Sequence, residues 1–286
     1  EVKTDVKWIA NFHDPYPMCH YPDPYKQNKV YDQRLIHRIT KVVKNSNWVT
    51  FPSQRLQEWM TQFHPSLVEK GFVLPHLEVS AAGLPKSKED SKVNLTSSKF
   101  NLLHAGSLLG PRNPQVLLRA FTRFINESDE RKSQAVLNVV GKLAKEHIGL
   151  DAEYESVKEN INIITTRVSY LRSIELLKTA DVLIILEGIA KDSPFMPGKL
   201  ADYIVADKPI LALSPKTSET SRLLGDEYPY LTETDNEEGI YQCLITLWEK
   251  WRSKELSNLG RKDLRSYISQ ESINQKIMDT VNVYNS

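Results

Sequence analysis

Two short apolar runs, residues 181–186 and 210–213, bracket one loop and one helix-length stretch, and that spacing admits few folds. Parallel strands need a crossover of about a dozen residues or more, most often a helix. The intervening stretch has the punctuation of such a helix, with Pro197 near its head and Lys208-Pro209 at its tail. Proline suits the head because its missing N–H belongs to a turn whose amides have no intrahelical partner. The unit reads as strand, loop, helix, strand, and its loop, opened by Glu187-Gly188, falls at the carboxyl edge of a parallel sheet, where open α/β sheets bind ligands. Backbone amides around Pro197, Gly198 and Lys199 are free there to hold an anion. Lys199 and Asp202, three apart, share a helix face and pair a cation for phosphate with a carboxylate for a ribose hydroxyl.

Residues 100–114 repeat the pattern: an apolar strand, a glycine-punctuated turn, and a helix expected to open with Asn113 as N-cap and Pro114 behind it. Gly106 has no side chain to obstruct a diphosphate, Ser107 adds a hydroxyl beside the backbone amides, and Arg112 supplies charge. His104, inside the strand, reads first as a satisfied core residue. Between the two segments the rhythm continues. Residues 135–140 form a strand closed by Gly141, residues 161–165 form another, and Ser169 caps a helix with Leu171, Ile174, Leu177 and Ala180 at helical spacing. Strands alternating with helices of this length predict one doubly wound parallel sheet.

The first 80 residues carry a smaller version of this rhythm, with strands at 6–12, 48–51 and 72–75, and helices at 30–44 and from the cap Ser53 to residue 63. His13-Asp14 stands at a strand's carboxyl end, either as a titratable pair facing a cleft or as an incidental surface pair. Tyr16, Tyr21 and Tyr25 follow in a loop that lines an acceptor groove or packs as a lid. The strand at 6–12 has no earlier strand to pair with, so the expectation is an amino-terminal domain lacking its front, with an exposed edge that favours a homodimer. Residues 81–98 read as a charged linker, residues 99–270 as the second domain, and residues 271–286 as a terminal helix. Beyond residue 214 the spacing predicts helices at 218–224, 237–251, 255–268 and 273–284.

Composition adds limits. With 40% hydrophobic residues in 286, the chain can bury two ordinary cores. A balance of 37 basic against 36 acidic residues gives no reason to expect nucleic acid. Cys19 and Cys243 have no metal-ligand spacing and fit a reduced, cytoplasmic setting. With no Asp-x-Asp or histidine cluster, neither a metal nor another cofactor is expected.

The segment Pro197-Gly-Lys-Leu-Ala-Asp-Tyr203, with Glu187 ahead of it and the Gly106-containing turn upstream, resembles the donor site of retaining GT-B glycosyltransferases of the family 4 type. The resemblance implies an α/β, GT-B-like fold of two Rossmann-type parallel-sheet domains, the first incomplete here. It also implies transfer of a sugar from a nucleoside diphosphate sugar to a glycan or lipid-linked glycan, the latter with peripheral membrane association. By position, Asp202 would bind the ribose and Glu187 would be the first donor-site acid, unless it is an ordinary loop-opening residue. Arg112 would stabilise the departing diphosphate and His13 would contact donor or acceptor. Arg167, Val168 and Ser169 would pass the base, unless they form a plain connecting loop. The spacing from Glu187 to Asp202 is longer than the family's, and the second acid is Asp rather than Glu. A GT-B sugar-nucleotide epimerase and a non-catalytic nucleotide-sugar-binding module are the alternatives. The family's carboxyl-terminal helix returns to the first domain, which is the expectation for the last stretch.

Overall fold

The computed structural model describes residues 6–26, 33–79, 93, 95–147 and 154–283. In the N-terminal half, β1 (Ile9–Asn11), α1 (Gln33–Asn45), β2 (Trp48–Phe51), α2 (Gln54–Thr61), α3 (Leu67–Lys70) and β3 (Gly71–Val73) follow in order. The three strands form a parallel sheet in the order β1-β2-β3, with Ile9 opposite Trp48 and Val49 opposite Gly71. Its core, including Phe12, Val49, Phe51, Leu56, Met60 and Leu67, is small. Ser53 caps α2 as its position predicts, accepting the Leu56 N–H at 2.9 Å. β1 lies at the sheet edge, and Trp8 and Ile9 remain exposed beside it. Most of the predicted linker falls outside the described residues, as does the start of the helix expected from residue 30.

The C-terminal half contains β4 (Phe100–Ala105), α4 (Gln115–Asn126), α5 (Asp129–Gln134), β5 (Ala135–Val140), β6 (Ile161–Ile164), α6 (Tyr170–Thr179) and β7 (Val182–Leu186). It continues through β8 (Asp192–Ser193), α7 (Lys199–Ala206), β9 (Ile210–Leu213), β10 (Thr217–Ser218), α8 (Glu219–Leu224), β11 (Leu231–Thr232), α9 (Glu237–Arg252), α10 (Lys262–Tyr267) and α11 (Gln270–Val283). Six strands form one parallel sheet in the order β11-β9-β7-β4-β5-β6. Apolar residues fill both faces: Phe121, Phe124 and Trp248 lie in one layer, and Leu177, Leu200 and Ile204 in the other. Burial on both faces explains why the strands read as continuous apolar runs.

Several boundaries differ from expectation. Pro114 is the N-cap of α4, although the Asn113 side chain still accepts the Gln115 N–H at 2.9 Å. α7 begins at Lys199 rather than at Pro197 and stops where Asp207 turns left-handed, φ 56°. The predicted helix at 255–268 shrinks to α10, because Gly260 adopts φ +66° and the Leu259 and Gly260 amides donate to Asp207. Glu78 meets the C-terminal region at the Ile268 carbonyl and at Arg265, just ahead of α11.

At one corner the halves meet through polar contacts. Ser53 Oγ donates to the Pro194 carbonyl at 2.6 Å, and the Gln54 and Arg55 amides donate to the buried Glu219 carboxylate at 3.3 and 3.2 Å. A carboxylate suits the positive end of α2, and Arg222 pairs with it from the other side at 2.6 Å. Among the described residues no helix is long and apolar enough to cross a membrane.

Candidate functional site

From β4 the chain first winds outward through β5 and β6, then returns to add β7, β9 and β11 on the other side. The switch point between β4 and β7 is where such sheets open a crevice. Here the opening has a visible cause. The two strands pair at Leu102–Val182 and Leu103–Leu183, and one residue later side chains replace the ladder. The Ile184 carbonyl accepts from His104 Nδ1 at 3.0 Å and from the Tyr203 hydroxyl at 3.3 Å, while the Ala105 N–H donates to that hydroxyl at 3.1 Å. Buried backbone groups released by the fork are thereby satisfied.

Two glycine turns rim the crevice. Gly106 has φ +145° and Gly141 φ +143°, a conformation that side chains disfavour. They nest: Gly106 N–H donates to Val140 O at 2.8 Å, and a Cβ on Gly141 would collide with the Gly106 carbonyl. A Cβ on Gly106 would lie 2.7 Å from Lys199 Nζ. Glycine at 106 therefore lets a lysine amine lie against the backbone, where the sequence suggests room for a diphosphate.

Lys199 reaches across the crevice to His104 Nε2, 2.8 Å away. Desolvation, reinforced by the nearby Arg112 charge and opposed by Glu187, lowers its pKa to about 7. Among the described residues neither Lys199 nor Arg112 forms an ion pair; Arg112 bonds to the Tyr25 hydroxyl. Glu187 is only 2% exposed and accepts hydroxyls from Ser193, Ser214 (2.6 Å) and Thr220 (2.7 Å). Burial raises its pKa against the pull of those donors and of Arg112.

Beside the cations lies a cavity of about 300 Å³ at the carboxyl ends of β4 and β5. Gly106, Ser107, Arg167 and Val168 line it together, as do Lys142 and Tyr170, which the sequence reading did not single out. Tyr170 also donates its hydroxyl to Asp202 Oδ1 at 2.8 Å, which holds the carboxylate at the rim. Burial raises the Asp202 pKa and this bond lowers it. Ser169 follows them and caps α6 as its position predicts, its side chain accepting the Arg172 N–H at 3.2 Å. Pro197 is buried and accepts the Leu200 N–H, while at Gly198 an added Cβ would meet nothing within 4 Å. Tyr170 had a local signal, since the residue after a predicted cap starts a helix at the sheet's carboxyl edge; Lys142 likewise follows the predicted Gly141 turn.

From the N-terminal half, His13 stacks on His76 with centroids 5.7 Å apart and planes 7° apart. The His76 ring bonds to the Met196 backbone, three residues before Lys199. Asp14 is bonded by the Tyr21 hydroxyl within its own loop. Tyr25 reaches farthest: its oxygen accepts the Gly188 N–H at 2.8 Å and its ring meets Phe195 at 4.7 Å.

No family model and no curated protein matches the sequence. Solved structures do match. The chain superposes on HepE from Anabaena in complex with UDP with a TM-score of 0.67 at 13% identity, covering 97% of this chain and 72% of that one. For sucrose-phosphate synthase from Thermosynechococcus elongatus the TM-score is 0.66 at 12% identity, with 99% and 69% covered. For the UDP-forming α,α-trehalose-phosphate synthase from Burkholderia xenovorans in complex with glucose-6-phosphate it is 0.62 at 9% identity, with 96% and 69% covered. The chain thus has the GT-B fold, with a switch-point crevice in its C-terminal Rossmann-like domain and a partner domain beside it.

Proposed function

We propose that this chain binds a nucleoside diphosphate sugar in the β4–β7 crevice and belongs to an enzyme that transfers the sugar to a glycan acceptor. One observation carries the reading: Lys199 and Arg112 converge on the crevice without an ion pair among the described residues, next to a cavity of about 300 Å³. Two cations held close together repel, and they are most stable when a polyanion enters between them. In this reading the diphosphate lies on Lys199, Arg112 and the amides after Gly106. The nucleoside fills the cavity along Ser107, Arg167, Val168 and Tyr170, with Asp202 accepting ribose hydroxyls. Breaking the glycosidic bond leaves its electrons on the β-phosphate, where preorganised cations stabilise the growing charge. His13, stacked on His76 above the Met196 backbone, faces the transferred sugar or its acceptor. UDP-glucose bound to HepE, a structure of the same fold, supports this reading.

The test is calorimetric titration with UDP, GDP and ADP and their nucleosides, followed by UDP-, GDP- and ADP-sugars with candidate acceptors. The expected result is one diphosphate bound at least tenfold more tightly than its nucleoside, since a hydrogen bond to a charged group contributes about 1.5–3 kcal/mol. Equal affinity for diphosphate and nucleoside would overturn the phosphate assignment. Epimerised donor without transfer would place the chemistry in a different class.

A further inference from the structure

His104 is 1% exposed in a strand whose other residues are buried, yet both of its ring nitrogens have partners. Its place is specific: it is the first residue beyond the last β4–β7 pair, so its imidazole occupies the floor of the fork. The Ile184 carbonyl can only accept, so Nδ1 carries the ring proton and the Nε2 lone pair points to Lys199. The amine is confined from the other side by the Cβ-free face of Gly106. A flexible four-carbon side chain is thus held between one acceptor and one glycine. Arg112, Glu187, Asp202, Tyr203 and Tyr25 also stand around this space, but the Tyr203 hydroxyl is committed to Ile184, that of Tyr25 to Gly188 and Arg112, and Asp202 to Tyr170.

We propose that His104 is a positioning residue for diphosphate recognition, a neutral acceptor that fixes the Lys199 ammonium over the Gly106 turn. The inference rests on the functional reading above and adds to it the device that aims the lysine. A neutral acceptor fits the task because a carboxylate there would neutralise the cation and compete with phosphate. Burial keeps the ring neutral, moving its pKa well below the usual histidine range. In effect the crevice holds its lysine by a bond to a neutral partner, so that the positive charge of the protonated amine is not cancelled by its anchor.

A double-mutant cycle tests this, using the tightest of UDP, GDP and ADP against its own nucleoside. His104→Leu should weaken diphosphate binding about tenfold, the change for losing one well-placed charged hydrogen bond, and change nucleoside binding less than about twofold. In a Lys199→Met background the same substitution should have almost no further effect on diphosphate. His104→Gln, whose amide oxygen can accept from Lys199, should recover part of the loss. Should the leucine variant fail to fold, imidazole ¹⁵N shifts of the unsubstituted protein provide the second measurement: Nε2 should be unprotonated and should shift on Lys199→Met. Additive losses, equal losses for diphosphate and nucleoside, or an Nε2 shift insensitive to Lys199 would overturn the proposal. If no diphosphate binds more tightly than its nucleoside, the functional reading falls and takes this inference with it. A diphosphate preference combined with an additive cycle sinks only the role of His104.

Discussion

In the C-terminal half, polar side chains from β4, the loops after β4 and β7 and the start of α7 turn toward one crevice; in the N-terminal half, His13 and Asp14 leave one strand end for separate partners. Sheet topology accounts for much of the contrast. A six-stranded sheet with a switch point has a place where the backbone ladder is broken and must be completed by side chains. The three-stranded sheet runs β1-β2-β3 in simple order and has no such fork among its described residues. Convergence of polar groups follows the fork, and Tyr25 from the loop after β1 reaches toward it.

If binding resides in the fork, the largest effect should come from removing both cations. The Arg112→Ala/Lys199→Ala variant should lose at least about a hundredfold in diphosphate affinity, roughly 3 kcal/mol, while nucleoside affinity holds. Parallel titrations with the two ligands check this, and a matching loss for nucleoside would move the phosphate elsewhere. Asp202→Ala should weaken nucleotide binding about tenfold, and a 2′,3′-dideoxy nucleotide should show no such difference between variant and parent. pH sets the next test. Lys199, lowered to about 7 in the free protein, gains a proton-stabilising phosphate on binding, so its pKa is higher in the complex. Binding is then fully supported below about pH 7 and weakens as pH rises from there toward the bound-state pKa. Affinity should fall by up to about tenfold between pH 7 and 8, and Lys199→Met should flatten that slope. The smallest effect belongs to the other half: His13→Ala should change nucleoside diphosphate affinity by less than about twofold and be felt only when sugar transfer is measured. A large binding defect there would erase the distinction between the halves.

Much of this architecture was legible because burial on both faces leaves continuous apolar runs, and β4, β5, β6, β7 and β9 fall within a residue of the expected positions. That Gly106, Ser107, Arg167 and Val168 line one cavity, with Lys199 beside the Gly106 turn, agrees with where the strand ends and loops fall in the sequence. What stayed hidden depends on partners distant in sequence. Tyr170 is held at the cavity by Asp202, 32 residues away, and Tyr25 is held by Gly188, 163 residues away. β11, only two residues long, has too little pattern to stand out, and it forms because β9 offers it an edge. His104 looked like a core residue and is one; its link to Lys199 exists only because two strands part beside it.

The corner where Glu219 receives the α2 amides has a mechanical consequence. Ser53–Pro194 and Glu219–α2 tie the halves within a few residues of each other, and breaking them would strip a buried carboxylate of its two backbone donors and leave it with Arg222 alone among the described residues. Any relative movement that preserves these bonds must be a rotation about that corner, not a sliding apart. In such a rotation the corner would be the fulcrum, and the ties from Tyr25 to Gly188 and from Glu78 to Ile268 would move in proportion to their distance from it.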